Sequence, residues 1–199
     1  TLLGTSSGDA NAVNAKWTKP GDGSWGDPTG WDTNPKVPSN LNDTARFVSL
    51  DTGTATVTLD GDHTVSQLTL GDGTHAGSYT IAQGTSGTLV FNNPGDDTLK
   101  SLVIGGGSHI ISAPVQLVTN TTANIGAGSL LTISGSITSA DSAITALKKD
   151  GAGVLILQGT DNAYTGDTVV LGGTLRAGEN DVLPHGAGTG NLMLSGGTL

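Results

Sequence analysis

The sequence predicts an all-β protein whose short strands stack as the coils of a solenoid. Glycine accounts for 32 of the 199 residues and Glu179 is the only glutamate, so few segments could sum to a favourable helix propensity. From Leu50 onward, apolar runs of three to six residues alternate with Gly, Asn, Asp or Ser, as expected of strands joined by tight turns. Several segments also nearly repeat one another. With only 3 Trp, 2 Tyr and 2 Phe, the core must be thin and aliphatic.

The chain divides into three parts in order of sequence. Residues 1–15 are small and polar, and we interpret them as an amino-terminal arm that is either flexible or a strand in need of a partner. Residues 16–49 hold all three Trp and four of the seven Pro, and we interpret this turn-rich part as a cap segment. Residues 50–199 carry the strand-like runs and are predicted to form the solenoid repeats.

Alternation within the runs indicates strands that bury one face. In TATVTL, Ala55, Val57 and Leu59 fall on one side and the threonines on the other. This two-residue alternation is typical of a strand with one buried and one solvent-exposed face. The stretch VSQLTL loses this phase between Gln67 and Leu68. We therefore predict a corner there.

Near-repetition favours a solenoid over a sandwich or a barrel. The segments GAGSLLTISG, GAGVLILQG and GTGNLMLSGG share a glycine opening, an apolar strand and a Ser/Gln-Gly close. Such self-similarity is typical of stacked coils. At roughly 20–25 residues per coil, residues 50–199 would supply roughly six or seven coils, a stack roughly 30 Å tall.

One segment, residues 139–151, also imitates a helix. It offers a possible N-cap at Ser139, apolar residues, Lys148 and Lys149 near its end, and a glycine stop. We favour a strand because both flanks are β, and we expect the two lysines to form an exposed pair.

Charge and composition exclude several classes of partner. The net charge of −9 comes from 17 acids and 8 bases, so nucleic acid is not expected as a partner. The chain has no cysteine and no long apolar run, so we expect neither disulfides nor a membrane span. It begins at Thr1 rather than at Met, which suggests a processed form or a fragment.

Candidate chemistry is sparse, and we predict no catalytic residue, no metal site and no cofactor. The turns at 60–62 and 71–73 and the pair Asp96 and Asp97 could offer oxygen ligands to Ca²⁺, but Asp and Gly more often simply form turns. The four histidines have no metal-ligand spacing. His109, flanked by apolar strand residues, is expected to be a hydrogen-bonded strand histidine. The protein is therefore not expected to be an enzyme.

The tryptophans allow two interpretations. Trp17, Trp25 and Trp31 lie among Gly and Asp and could stack on the rings of a glycan. Alternatively they cover the open end of the solenoid, where a thin core needs bulky side chains. We favour the cap, because Trp is usually mostly buried.

Residues 146–199 closely resemble the autotransporter-associated β-strand repeat, and residues 50–145 do so loosely. The shared features are a Lys-x-Gly-x-Gly strand, a Leu-x-Leu-x-Gly close, the corner Asn-x-Tyr-Thr-Gly and then Gly-Gly-Thr-Leu. Residues 17–47 resemble the Trp-rich segment found ahead of such repeats. The resemblance implies a right-handed parallel β-solenoid (β-helix) of a bacterial protein, located extracellularly or at the cell surface, with a passenger, stalk or adhesin role and no catalysis.

The two ends of the chain differ. The amino end carries the cap segment, whereas GGTL at 196–199 offers no polar or Pro-bearing terminator. We therefore expect a structural protein, a subunit of a surface fibre or stalk that associates with itself head to tail. The alternative is an adhesin or carbohydrate-binding module that presents its Trp residues to a glycan.

Overall fold

A computed structural model describes residues 12–94, 100–141, 143–185 and 188–199. Most of the predicted arm, and the pair Asp96 and Asp97, lie outside the described residues. A single 3₁₀ turn, Pro28–Gly30, accompanies the strands, which are, in chain order, β1 (Asn14–Lys16), β2 (Gly23–Ser24), β3 (Thr44–Phe47), β4 (Thr54–Leu59), β5 (His63–Val65), β6 (Gln67–Leu70), β7 (Ser78–Gln83), β8 (Leu89–Phe91), β9 (Leu102–Ile104), β10 (Ser108–Ile111), β11 (Val115–Leu117), β12 (Thr121–Ile125), β13 (Leu130–Ile133), β14 (Ile137–Ser139), β15 (Leu147–Asp150), β16 (Val154–Leu157), β17 (Thr168–Val170), β18 (Thr174–Ala177) and β19 (Leu192–Leu194).

The strands form three parallel sheets, and the chain visits them in turn. The first sheet has the order β1-β3-β6-β9-β12-β15-β17-β19, the second β2-β4-β7-β10-β13-β16-β18, and the third β5-β8-β11-β14. Each strand pairs with the strand one coil away, in parallel. This arrangement is the predicted β-solenoid, and eight strands at the usual sheet spacing make it roughly 34 Å tall.

Two local predictions about strands are confirmed. The corner in VSQLTL falls at Ser66, one residue before the expected break, because β5 belongs to the third sheet and β6 to the first. Leu147–Asp150 is a strand and not a helix. Its partners β12 and β17 supply the hydrogen bonds that a short isolated helix would have to make alone. No helix among the described residues is long and apolar enough to cross a membrane.

The core is a set of side-chain columns that run through the coils. In the first sheet, Leu102, Ala123, Lys149 and Val170 occupy successive places of one column. Most inward positions of the other columns are aliphatic, and the three tryptophans and both phenylalanines lie in the amino-terminal half. Each coil buries its inward side chains against the coils on either side, which is how a thin repeat obtains a core.

Lys149 corrects the expectation of an exposed lysine pair, because it points into the core and is only 1% exposed. Its Nζ donates to the carbonyl oxygens of Asp150 (2.8 Å), Gly151 (2.7 Å) and Gly172 (3.0 Å). Burial lowers the pKa of Lys149. Its ammonium therefore ties the turn after β15 to the turn after β17, one coil further on.

Candidate functional site: the two ends of the solenoid

The three tryptophans pack together around Phe47 at the amino-terminal end. Trp31 meets Trp17 and Trp25 edge to face, with ring centroids 5.2 Å apart in both pairs. Phe47 lies 5.7 Å from Trp17 and 5.3 Å from both Trp25 and Trp31. Trp17 and Trp25 are fully buried and Trp31 is 2% exposed. The fold thus brings all three predicted site residues together. We call the cluster of Trp17, Trp25, Trp31 and Phe47 the aromatic cap.

Hydrogen bonds from Asp32 fold the cap segment over the edge of β1 that no other described strand covers. Asp32 Oδ1 accepts from the Lys16 N–H (2.7 Å), and the Asp32 N–H donates to the Lys16 carbonyl (3.0 Å). Trp17 and Trp31 then form an antiparallel bridge. The returning chain therefore occupies backbone groups that an edge strand would otherwise offer to a partner.

Two of the indole N–H groups are bonded inside this cluster. Trp25 Nε1 donates to the Pro38 carbonyl and Trp31 Nε1 to the Trp25 carbonyl, both at 2.8 Å. Gly30 lies directly against the Trp17 ring, where a Cβ would overlap the ring carbons. Buried rings with this packing present no face on which a sugar ring could stack. The geometry supports the cap interpretation.

Asp43 organises the cap segment, and sequence reasoning missed it. Its carboxylate is 1% exposed; Oδ1 accepts from the Val13 N–H (2.8 Å), and Oδ2 accepts from the N–H groups of Ser39 and Asn40 (2.9 Å each). Asp43 thereby joins the start of β1 to the turn before β3. The sequence signal was the Asp-x-Ala pattern at Asp43 to Ala45, where β3 begins. This pattern does not reveal that Asp43 caps the preceding turn unless the turn itself is known.

The carboxyl-terminal coil ends in a strand with one covered edge. β19 pairs with β17, Leu192 opposite Thr168 and Leu194 opposite Val170. Val170 is fully buried, whereas Leu194 is 55% exposed although it occupies the same inward position. Among the described residues no strand lies on the other side of β19. We call this surface, with Leu192 and Leu194, the open face.

In the coil after β14, the corner Asn-x-Tyr-Thr-Gly at 162–166 lies where the third sheet would have its next strand. Beyond β14 the third sheet continues, in the described chain, as a single bridge between Thr138 and Ala163. There Asn162 Oδ1 accepts from the Ile137 N–H (2.7 Å), and its Nδ2 donates to the carbonyls of Gly159 (2.8 Å) and Val182 (2.6 Å). The amide of Asn162 thus supplies hydrogen bonds that a paired strand would supply elsewhere.

Tyr164 completes this corner. Its hydroxyl lies 2.6 Å from Thr168 Oγ1, and burial raises the pKa of Tyr164 to about 12. The ring is fully buried. Both motif residues therefore have structural roles.

Replacing Asn162 with alanine is expected to lower the free energy of unfolding by about 3 kcal/mol, because one buried N–H and two carbonyls lose their partner. Asn162→Asp should be at least as destabilised as Asn162→Ala, because it places a buried carboxylate oxygen against the two carbonyl oxygens. Urea unfolding measures the effect. Asn180→Ala, at an exposed position, serves as the control, and equal midpoints for Asn162→Ala and Asn180→Ala would contradict this role.

The remaining candidate residues lie apart. His75 contacts Asp72 (2.8 Å) and Asp51 (3.5 Å) at the surface, whereas His63 stacks on Trp25 and His109 is buried in β10. Asp72 Oδ1 accepts from the Thr74 N–H (2.8 Å), as a turn carboxylate does. Within the described ranges, no three or more His, Asp or Glu side chains form a group that could hold a metal ion.

Comparison with known proteins gives matches to the repeat region. A family model described as the passenger-associated-transport-repeat matches residues 147–177, which include Lys149, Asn162 and Tyr164. The chain is 48% identical over 66 residues to the adhesin BmaC autotransporter of Brucella suis biovar 1 (strain 1330), a match that covers 32% of this chain and 2% of that protein. No solved structure matches.

Fold and ends together define a parallel β-solenoid with an aromatic cluster at one end and an open face at the other. Residues 147–177 of this solenoid, from β15 to β18, match the passenger-associated-transport-repeat. The chain spans only a small part of the length of the similar adhesin.

Proposed function

We propose that the protein is a non-catalytic, extracellular structural protein, a β-solenoid segment of a bacterial surface fibre or stalk that associates with itself through its ends. The observation that carries this proposal is the continuous parallel stacking of the three sheets, in a chain whose residues 147–177 match a passenger repeat. In β19, Leu192 and Leu194 occupy core positions and are exposed, so they offer a surface to a further coil of this chain or of another copy. An unpaired strand edge beside exposed aliphatic side chains is a surface suited to a further coil. The resemblance to a passenger repeat supports the extracellular location.

The amino-terminal end supports a particular mode of association. Asp32 and the Trp17–Trp31 bridge occupy the edge of β1, so another strand cannot pair there. A further strand could pair with β19 at the open face. The partner in a head-to-tail contact would therefore be the outer surface of another copy's cap segment. Such heterologous contacts build filaments when they do not close into rings.

We expect the purified chain to grow in light-scattering mass with concentration and to show end-to-end assemblies by electron microscopy. Leu194→Lys should shift the protein to monomer, because the lysine places a charge on the open face. Met193→Lys is the matched control, since Met193 lies on the same strand and points outward beside Val169. A wild-type monomer at all concentrations, or equal effects of the two lysines, would contradict self-association through this face.

An adhesin function is the second candidate, and its support is the name of the similar Brucella suis protein. The buried Trp rings do not favour a glycan platform on the aromatic cap. Glycan arrays probed with wild type and with Trp25→Phe would test this candidate, and binding that depends on Trp25 while stability is unchanged would restore the platform.

A further inference from the structure

A fully buried histidine connects two coils in the middle of the solenoid. His109 lies on β10 with β7 on one side and β13 on the other. Its ring is nearly parallel to that of Tyr79, at a centroid distance of 6.1 Å. Nδ1 accepts from the Tyr79 backbone N–H (3.0 Å), and Nε2 donates to the Gly106 carbonyl (2.7 Å). These two bonds define a neutral ring that carries its proton on Nε2.

Among the described residues, no carboxylate is hydrogen-bonded to His109. On β13 the residue opposite it is Leu131. The titratable groups on the neighbouring elements are Tyr79 on β7, Asp72 and His75 in the loop 71–75, and Asp51 beside His75. Asp72 is already bonded to Thr74 and His75. Burial lowers the pKa of His109, as expected for an imidazole whose charged form would lie unpaired in the core.

The ring also has no room to reorient. Gly71 adopts a φ of 68°, and a Cβ at this position would lie 2.8 Å from His109 Nε2. The same Cβ would overlap the Gly106 carbonyl oxygen. The backbone of one coil is therefore pressed against the ring of the next, and a second proton on the ring must face the Tyr79 N–H.

We propose that His109 makes the contact between β7 and β10 acid-sensitive, so that protonation of Nδ1 by solvent opens the solenoid locally between these two coils. The added proton turns the acceptor for the Tyr79 N–H into a donor, which breaks that bond and leaves a charge in the core. Each coil contacts only its neighbours, so the contact can open without unfolding the distant coils.

The direction of the pH dependence follows from the two states of the ring. In the opened state the imidazole is solvated and binds a proton near its ordinary pKa of about 6.5, whereas the closed state holds it neutral. The contact therefore has its full stability above about pH 6.5 and loses it progressively below that value. While the closed state stays unprotonated, the open population rises about tenfold per pH unit.

Hydrogen exchange of the backbone amides, corrected for the intrinsic pH dependence of exchange, tests the proposal between pH 7.5 and pH 5. We expect the protection of residues 78–82 and 108–112 to fall about tenfold per pH unit below about 6.5. Residues 154–157, two coils away from β10, should keep their protection. Unchanged protection of 78–82 and 108–112 down to pH 5 would overturn the proposal.

Variants assign the effect to one ring. His109→Asn keeps an acceptor for the Tyr79 N–H and cannot titrate, so its protection should not depend on pH. His63→Asn removes the other buried histidine, and His75→Asn removes the exposed one; both should respond as wild type does. The same fall in His109→Asn would refute the assignment. Should that variant fail to fold, NMR titration of the wild-type imidazole decides, since a ring that stays neutral while the segments open also overturns it.

Discussion

Replacing Trp25 and Trp31 together with alanine is expected to lower the free energy of unfolding by roughly 3–5 kcal/mol per residue. Both rings are buried and contact each other and Phe47, so their removal leaves a cavity at the end of the core. Because coils are stabilised by their neighbours, the loss should appear first in the amino-terminal coils. Urea unfolding gives the magnitude, and hydrogen exchange gives the location.

Two further variants calibrate this result. Trp25→Phe with Trp31→Phe keeps aromatic volume in the cap and should lose markedly less stability. Ile144→Ala removes an aliphatic side chain that is 83% exposed and should have almost no effect. If the double alanine variant unfolded at the same midpoint as Ile144→Ala, the cap interpretation would be wrong, and loss of glycan binding in that variant would support a platform.

Replacing Asp43 with alanine is expected to release the cap segment, at a cost on the order of 4 kcal/mol. The substitution leaves the N–H groups of Val13, Ser39 and Asn40 without their acceptor. Unlike the loss of a ring, it leaves the hydrophobic packing of the core in place. The exchange rates of these three amides should therefore rise before the core is affected.

The controls for Asp43 separate charge from hydrogen bonding. Asp43→Asn keeps one acceptor oxygen and should lose an intermediate amount of stability. Asp51→Ala removes a carboxylate whose side chain is 88% exposed, and its unfolding should match wild type. Slow exchange of all three amides in Asp43→Ala would show that other acceptors hold the cap segment.

The strands and the coil corners could be predicted because their signals are local. The alternation of Ala55, Val57 and Leu59 with threonines fixes which side is buried, and the structure buries those three residues. The break predicted in VSQLTL between Gln67 and Leu68 marks a change of sheet, which the structure places at Ser66. In both cases neighbouring residues in the sequence carry all the information.

The roles of Lys149 and Asp43 could not be predicted, because they depend on contacts between coils. Two adjacent lysines look equivalent in the sequence, and only the pairing of Lys149 with Ala123 and Val170 places its side chain in the core. Asp43 meets Val13 across 30 residues. Local alternation carries no information about such partners.

The sequence by itself determined that this protein is an all-β solenoid, since glycine content, alternation and near-repetition are properties of short stretches. Only the tertiary structure decided which polar side chains lie in the core and which end is covered. The physical reason is register: one residue of shift between coils would exchange the inward and outward sides of every strand, and register is set by contacts between residues more than twenty positions apart.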